Sequence, residues 1–152
     1  MNWSIGDFVF AAGLLLLAGA LILFAVKSRR PVSYRLGAVI AVLGILLMVM
    51  ACGAVGLIGD AEHPGNLLLL CIPASGLFGA AIFRFRPDRL YRVLVIMALA
   101  QMLIAAMALA QGWGSLSAVW PWDVIAGNGF FAAAWLFSAA MFRASRAPRL
   151  SA

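Results

Sequence analysis

Gly59, Asp60, Ala61, Glu62, His63, Pro64, Gly65 and Asn66 form a polar stretch between two long apolar runs, residues 36–58 before it and 67–83 after it. It holds the only histidine of the chain and two of its five acidic residues. Neither flanking run contains a charged residue. Runs of roughly 20 uncharged apolar residues match the ~30 Å hydrocarbon core of a bilayer, so the stretch reads as the exposed tip of a membrane hairpin. The whole chain agrees: 66% of its 152 residues are hydrophobic, 11% are charged, and the mean hydropathy is +1.08. A soluble domain needs polar helix faces, and these runs offer none.

Working outward, residues 8–26 make a first run, closed by Lys27, Ser28, Arg29, Arg30 and Pro31. Residues 36–58 are the second and 67–83 the third. The third is short and carries Pro73 near its middle, so a kinked span and a re-entrant hairpin both fit its composition. A hairpin would put Arg84, Arg86, Arg89 and Arg92 opposite the preceding basic cluster. Short basic loops favour one side of the membrane, so the third run is expected to cross. Residues 90–110 form the fourth run. A turn-rich connection through Trp113, Trp120, Pro121 and Trp122 then leads to the fifth, residues 123–142. The ~10-residue alternating segments of a β-barrel are absent. The expectation is all-α: one polytopic transmembrane domain over residues 1–152, a five-helix bundle.

Five spans place the two termini on opposite sides, and the charges then sort cleanly. Lys27, Arg29, Arg30 and Arg35, then Arg84, Arg86, Arg89 and Arg92, then Arg143, Arg146 and Arg149 account for all eleven basic residues, and all fall on one side. Asp7, Asp60, Glu62 and Asp123 fall on the other, with Asp88 the one acid among the arginines. The positive-inside preference puts the N-terminus outside and the C-terminus in the cytoplasm. Trp3, Trp113, Trp120 and Trp122 then gather at the outer boundary and Tyr34 and Tyr91 at the inner one, as aromatic belts do. The first run has an acidic rather than a basic flank before it, so it reads as a retained span and not a cleaved signal. A net charge of +6 invites a nucleic-acid reading, but that requires a basic face on a soluble domain. Here the cations stand between apolar runs, and no nucleic-acid partner is expected.

Packing in lipid depends on small residues that let helix backbones approach. Gly37, Ala41, Gly44 and Ala51 share one face of the second span, and Ala98, Gln101, Ala105 and Ala108 share one face of the fourth. Gly76 and Ala80 form a small pair in the third. These stripes fit packing within the chain, or a face for a partner or second copy. Gln101 lies near mid-membrane and Asn128 roughly 7 Å below the outer surface. Polar side chains at such depth turn toward protein, as interhelical hydrogen bonds or as part of a pathway. No charged residue lies near the centre of any span, which counts against a proton relay.

Asp60, Glu62, His63 and Asp123 are the residue types an acid/base or metal site uses, at one outer surface. A single histidine with scattered carboxylates falls short of a zinc pattern, so a tight turn is the simpler reading, and neither metal nor cofactor is expected. Cys52 and Cys71 reach similar depth on the two arms of the hairpin, and the expectation is two buried, inert thiols. The seven methionines show no repeated ligand spacing and read as filler against core or lipid.

Three stretches carry a resemblance. They are Val55, Gly56, Leu57, Ile58 and Gly59 with Glu62, Pro64, Asn66 and Leu67; Arg84, Phe85, Arg86 and Pro87; and Trp120, Pro121 and Trp122 with Asn128, Gly129, Phe130, Phe131 and Trp135. In these the chain resembles a family of small uncharacterised bacterial inner-membrane proteins with five spans. The family pattern often has a polar residue where this chain has Cys52. The resemblance implies topology and a bacterial inner (plasma) membrane, and transfers no activity and no catalytic residue.

The function expected from the residues is non-enzymatic: a scaffold or accessory subunit of a membrane assembly. Arg29, Arg30, Arg35, Arg84, Arg86, Arg89 and Arg92 would contact anionic lipid headgroups, a membrane-protein partner or a second copy. The alternatives are a transporter or channel component built by oligomerisation around Gln101 and Asn128, and a membrane enzyme using the outer polar residues.

Overall fold

The chain is all-α. The computed structural model describes residues 5–146 apart from the side chain of Asp7, so Trp3, Arg149 and that carboxylate lie outside the described residues. Five helices follow in order: α1 (Ile5–Lys27), α2 (Val32–Ala54), α3 (Gly65–Ile82), α4 (Pro87–Ala110) and α5 (Trp122–Ala144). Each is long and apolar enough to cross a membrane. Lipid offers the backbone no hydrogen-bond partner, so a spanning segment must satisfy its N–H and C=O groups internally. The chain is therefore a multi-pass membrane protein whose outer surface meets the lipid bilayer.

Local sequence sets most of the helix ends. Pro31 and Pro87 stand at the starts of α2 and α4, where a missing N–H costs nothing. Asp88 and Asp123 occupy first turns, and Lys27 and Arg143 occupy last turns. These signs complement the helix dipole.

The second helix departs from the run of residues 36–58. It starts at Val32 and ends at Ala54. Gly56, in the left-handed conformation at φ 85°, turns the chain out while its N–H bonds to the Ala51 carbonyl at 2.9 Å. Leu57 and Ile58 thus belong to the loop, and Ile58 is fully buried against the bundle end. Hydropathy cannot separate a buried loop residue from a helical one. In α3 the chain runs helically through Pro73 for 18 residues, ~27 Å at the helical rise, so there is no re-entrant turn.

Helices α2, α3, α4 and α5 close a ring in which α5 packs on α2 and α4, and α3 bridges α4 back to α2. Helix α1 stands outside that ring, packed chiefly on α2. The small-residue stripes do their work within the chain. Gly37 and Gly44 face α5, and a Cβ on Gly44 would lie 2.8 Å from the Trp135 ring. Ser138 of α5 donates to the Gly37 carbonyl at 2.7 Å. Gly76 faces the Met97 sulfur and Gly79 faces Val93, joining α3 to α4. Ala98, Gln101, Ala105 and Ala108 are all buried. Met48 and Met97 fill the core, whereas Met102 and Met107 are exposed on the lipid side.

Two expectations are corrected here. Tyr34 is buried rather than in a belt, edge-on to Phe142 at 5.1 Å between centroids. Cys71 is exposed on α3 while Cys52 is buried on α2, and both are free thiols. Cys52 stands two residues before the end of α2 and Cys71 six residues after the start of α3, and the two side chains leave their helices toward different environments.

The Gly44 notch yields the first prediction. Gly44→Ala drives a methyl into a rigid indole and should cost about 1–3 kcal/mol. Gly13→Ala, with open space around its Cβ, should stay within about 0.5 kcal/mol. Reversible unfolding in mixed micelles titrated with dodecyl sulfate measures both.

Candidate functional site

The polar stretch is organised by Asn66, which sits on the first turn of α3 and is almost fully buried. Its Oδ1 accepts from the backbone N–H groups of Leu57 at 2.9 Å and Ile58 at 3.1 Å. Its Nδ2 donates to the carbonyls of Ile58 at 3.2 Å and Asp60 at 2.7 Å. One amide therefore satisfies four backbone groups of the segment that leaves α2. That segment has no ladder of its own, and such groups are expensive to bury unpaired. Gly59, at φ 66°, lies against Gly114 of the α4–α5 connection, where a Cβ on Gly114 would come within 2.7 Å of the Gly59 nitrogen. The two loops at this end, the acidic face, are packed backbone to backbone.

The residues expected to form an outer polar cluster are placed as follows. Asp60 and Glu62 are exposed. His63 turns inward, its Nδ1 accepting from the Gly65 N–H at 3.0 Å and its ring 5.8 Å from that of Trp113. That bond leaves the proton of the neutral imidazole on Nε2. Asp123 accepts from the Val124 N–H at 2.8 Å at the start of α5. Among the described residues no three His, Cys, Asp or Glu side chains converge as a metal-ligand set. Trp120 Nε1 is buried without an acceptor, and nothing in the fold explains it.

Gln101 and Asn128 meet. Gln101 Nε2 donates to Asn128 Oδ1 at 2.7 Å, and Asn128 Nδ2 donates to the Val124 carbonyl at 2.8 Å. The Trp135 indole N–H reaches Gln101 Oε1 at 3.4 Å. All three side chains are fully buried. The chain joins α4 to α5, and each interhelical bond of this kind contributes about 0.6–2 kcal/mol in a membrane.

The opposite end is the basic face. Arg29, Arg30, Arg84, Arg86, Arg89, Arg92, Arg143 and Arg146 are exposed there and Arg35 is partly so, its Nε donating to the Arg30 carbonyl at 3.0 Å. Several lie over aromatic rings: Arg30 over Tyr34 at 5.2 Å, Arg89 over Phe83 at 5.6 Å, and Arg92 and Arg146 over Tyr91 at 5.9 and 5.3 Å. Among the described residues the one ion pair is Arg89 with Asp88, at 3.7 Å.

The α3–α4 connection on this face is strained. Arg84 and Phe85 both take left-handed backbone, at φ 50° and 56°, a conformation that costs a non-glycine residue about 1–3 kcal/mol. The Phe85 N–H bonds back to the Ala80 carbonyl at 3.0 Å, and the Tyr34 hydroxyl donates to the Phe85 carbonyl at 3.0 Å. Beneath this loop a cavity of 270 Å³ runs between α1, α2, α3 and α4. Its walls are apolar, and it reaches the basic face beside Arg30 and Arg84.

Arg30 and Arg84 stand out in the sequence by their charge, whereas the space they border does not. Asn66 is visible there as a polar residue, but its role as organiser of the loop is not. An isolated Asn at a helix start after Pro-Gly was the available signal.

No family model, no curated protein and no solved structure matches the chain. The resemblance carried by the short motifs is therefore not joined by an identified family, and what stands is the set of five membrane-spanning helices.

Removing the Asn66 amide should strand several backbone groups at once. Asn66→Ala is expected to cost about 2–4 kcal/mol, one to two unsatisfied buried groups after local rearrangement. Asn66→Asp keeps the acceptor but turns a second carboxylate oxygen toward the Ile58 and Asp60 carbonyls, and should cost at least as much as Asn66→Ala. Amide hydrogen exchange across residues 55–66 checks both, with protection lost in the alanine variant.

Proposed function

We propose that this protein is a non-enzymatic scaffold or accessory subunit of the bacterial inner membrane, held in register with the cytoplasmic leaflet by its basic face. The carrying observation is the polarised charge of the bundle. Every described cation stands at one end, with Asp88 the one acid beside them. Exposed arginines at a membrane surface attract anionic headgroups by about 1 kcal/mol each, and the same end is the one the positive-inside preference assigns to the cytoplasm. The N-terminus is then outside and the C-terminus inside. The exposed flank of α1 and the arginine-rich loops leave room for a membrane-protein partner or a second copy.

Orientation is tested in intact cells of a variant lacking both native cysteines. An impermeant thiol reagent should label Ser117→Cys and spare Arg86→Cys, and the reverse pattern overturns the reading. The lipid contact is tested with spin-labelled lipid in vesicles. Phosphatidylglycerol should be enriched over phosphatidylcholine beside the protein at low salt. The enrichment should shrink as salt shortens the Debye length to about 8 Å at 0.15 M, and shrink further in the variant carrying Arg89→Gln, Arg92→Gln and Arg143→Gln. Equal enrichment in the two proteins counts against it.

A further inference from the structure

We infer that the cavity under the Arg84 loop is a binding site for one anionic phospholipid, its phosphate between Arg30 and Arg84 and one acyl chain in the apolar channel below. The inference rests on the lipid-facing role of the basic face proposed above and adds to it a built, stoichiometric site.

The dimensions suit a single chain. Along α2 the lining extends from Tyr34 to Ile45, about 16 Å at the helical rise, which is half the ~30 Å hydrocarbon core and so the depth of one leaflet. The floor is apolar, made by Val93, Leu94 and Met97 of α4. On one side stands α1 through Leu21, Phe24 and Ala25. Because α1 packs chiefly on α2, the α1–α3 side is the route by which a lipid tail would enter without crossing water, below the point where the Phe24 and Phe85 rings meet at 6.5 Å.

The charge at the mouth selects the headgroup. No acidic residue lines the cavity, and two arginines do. The remaining polar groups of the lining are already committed: Ser28 Oγ donates to the Ala25 carbonyl at 2.6 Å and Tyr34 to Phe85. Among the described residues neither Arg30 nor Arg84 has a carboxylate partner, the one ion pair being Arg89 with Asp88. Arginine is the side chain best suited to bidentate phosphate binding. Tyr34 joins the parts. It carries the Arg30 guanidinium over its ring and holds the left-handed Phe85 backbone through its hydroxyl, so one buried residue fixes both sides of the mouth. Strained backbone held by its surroundings is a recurrent property of ligand sites, and basic pockets between transmembrane helices bind anionic headgroups.

The test is native mass spectrometry of the full chain released from phosphatidylcholine nanodiscs containing a minor fraction of phosphatidylglycerol. Wild type should retain one phosphatidylglycerol per chain. Arg30→Ala with Arg84→Ala should lower that retention about tenfold or more. Arg29→Ala with Arg86→Ala, which removes equal charge from the same loops but from side chains that do not line the cavity, should lower it several-fold less. Ala41→Leu fills the channel while keeping both arginines and should also release the lipid, with helix content confirming the fold. If both arginine pairs lower retention equally, the contact is diffuse surface charge, and the pocket is refuted while the broader reading survives. Full retention by Ala41→Leu refutes the seated chain. Failure of wild type to prefer phosphatidylglycerol at low salt refutes both.

Discussion

The fold depends on where the Trp135 indole can go. It is the largest fully buried side chain, and it lies in the notch left by the missing Cβ of Gly44 while its N–H turns to Gln101. In lipid the gain from burying an apolar ring is small, because the tails outside are as apolar as the core. What favours one arrangement is close packing and the cost of leaving a polar group unpaired. The indole meets both conditions at one point: its ring fills the α2–α5 notch and its nitrogen is tied to α4. Asn128 completes the set by accepting from Gln101 and donating back to its own helix.

The two ends of the bundle solve a different problem, the termination of helices whose backbones need water or partners. At the acidic face the solution is a single side chain. Asn66 gathers the backbone groups of the segment after α2 and allows Ile58 to drop into the bundle. At the basic face the α3–α4 connection is held by left-handed Arg84 and Phe85 and by the Tyr34 hydroxyl. The first is a well-satisfied turn. The second keeps strain beside exposed charge and an apolar cavity, and that difference directs functional interest to the basic face even though the acids and the histidine lie at the other.

Much of the fold was legible from composition. The five apolar runs correspond to five helices, and the stripes through Gly37, Gly44, Gly76 and Ala98 lie at interfaces, because close approach of helices in lipid leaves a signature of small residues. The end of α2 was not legible, since Leu57 and Ile58 are as apolar in a loop as in a helix. Nor was the burial of Tyr34, whose residue type suits a belt as well as a core. The polar candidates divided in a similar way. His63 and Asp123 each engage a nearby backbone N–H, a short-range matter that a residue list does not reveal.

The sequence by itself determined the solvent of this protein, the number of crossings and the segregation of charge, because each is a sum over many residues that no single contact can reverse. The tertiary structure alone decided which helices are neighbours, that Gln101 and Asn128 bond to each other, and that Arg30 and Arg84 border one cavity. Those facts depend on residues up to 101 positions apart being brought within a few ångströms. Pairing of that kind is set by the fit of Gly44 to Trp135 and of Gly37 to Ser138, which spacing along the chain does not encode.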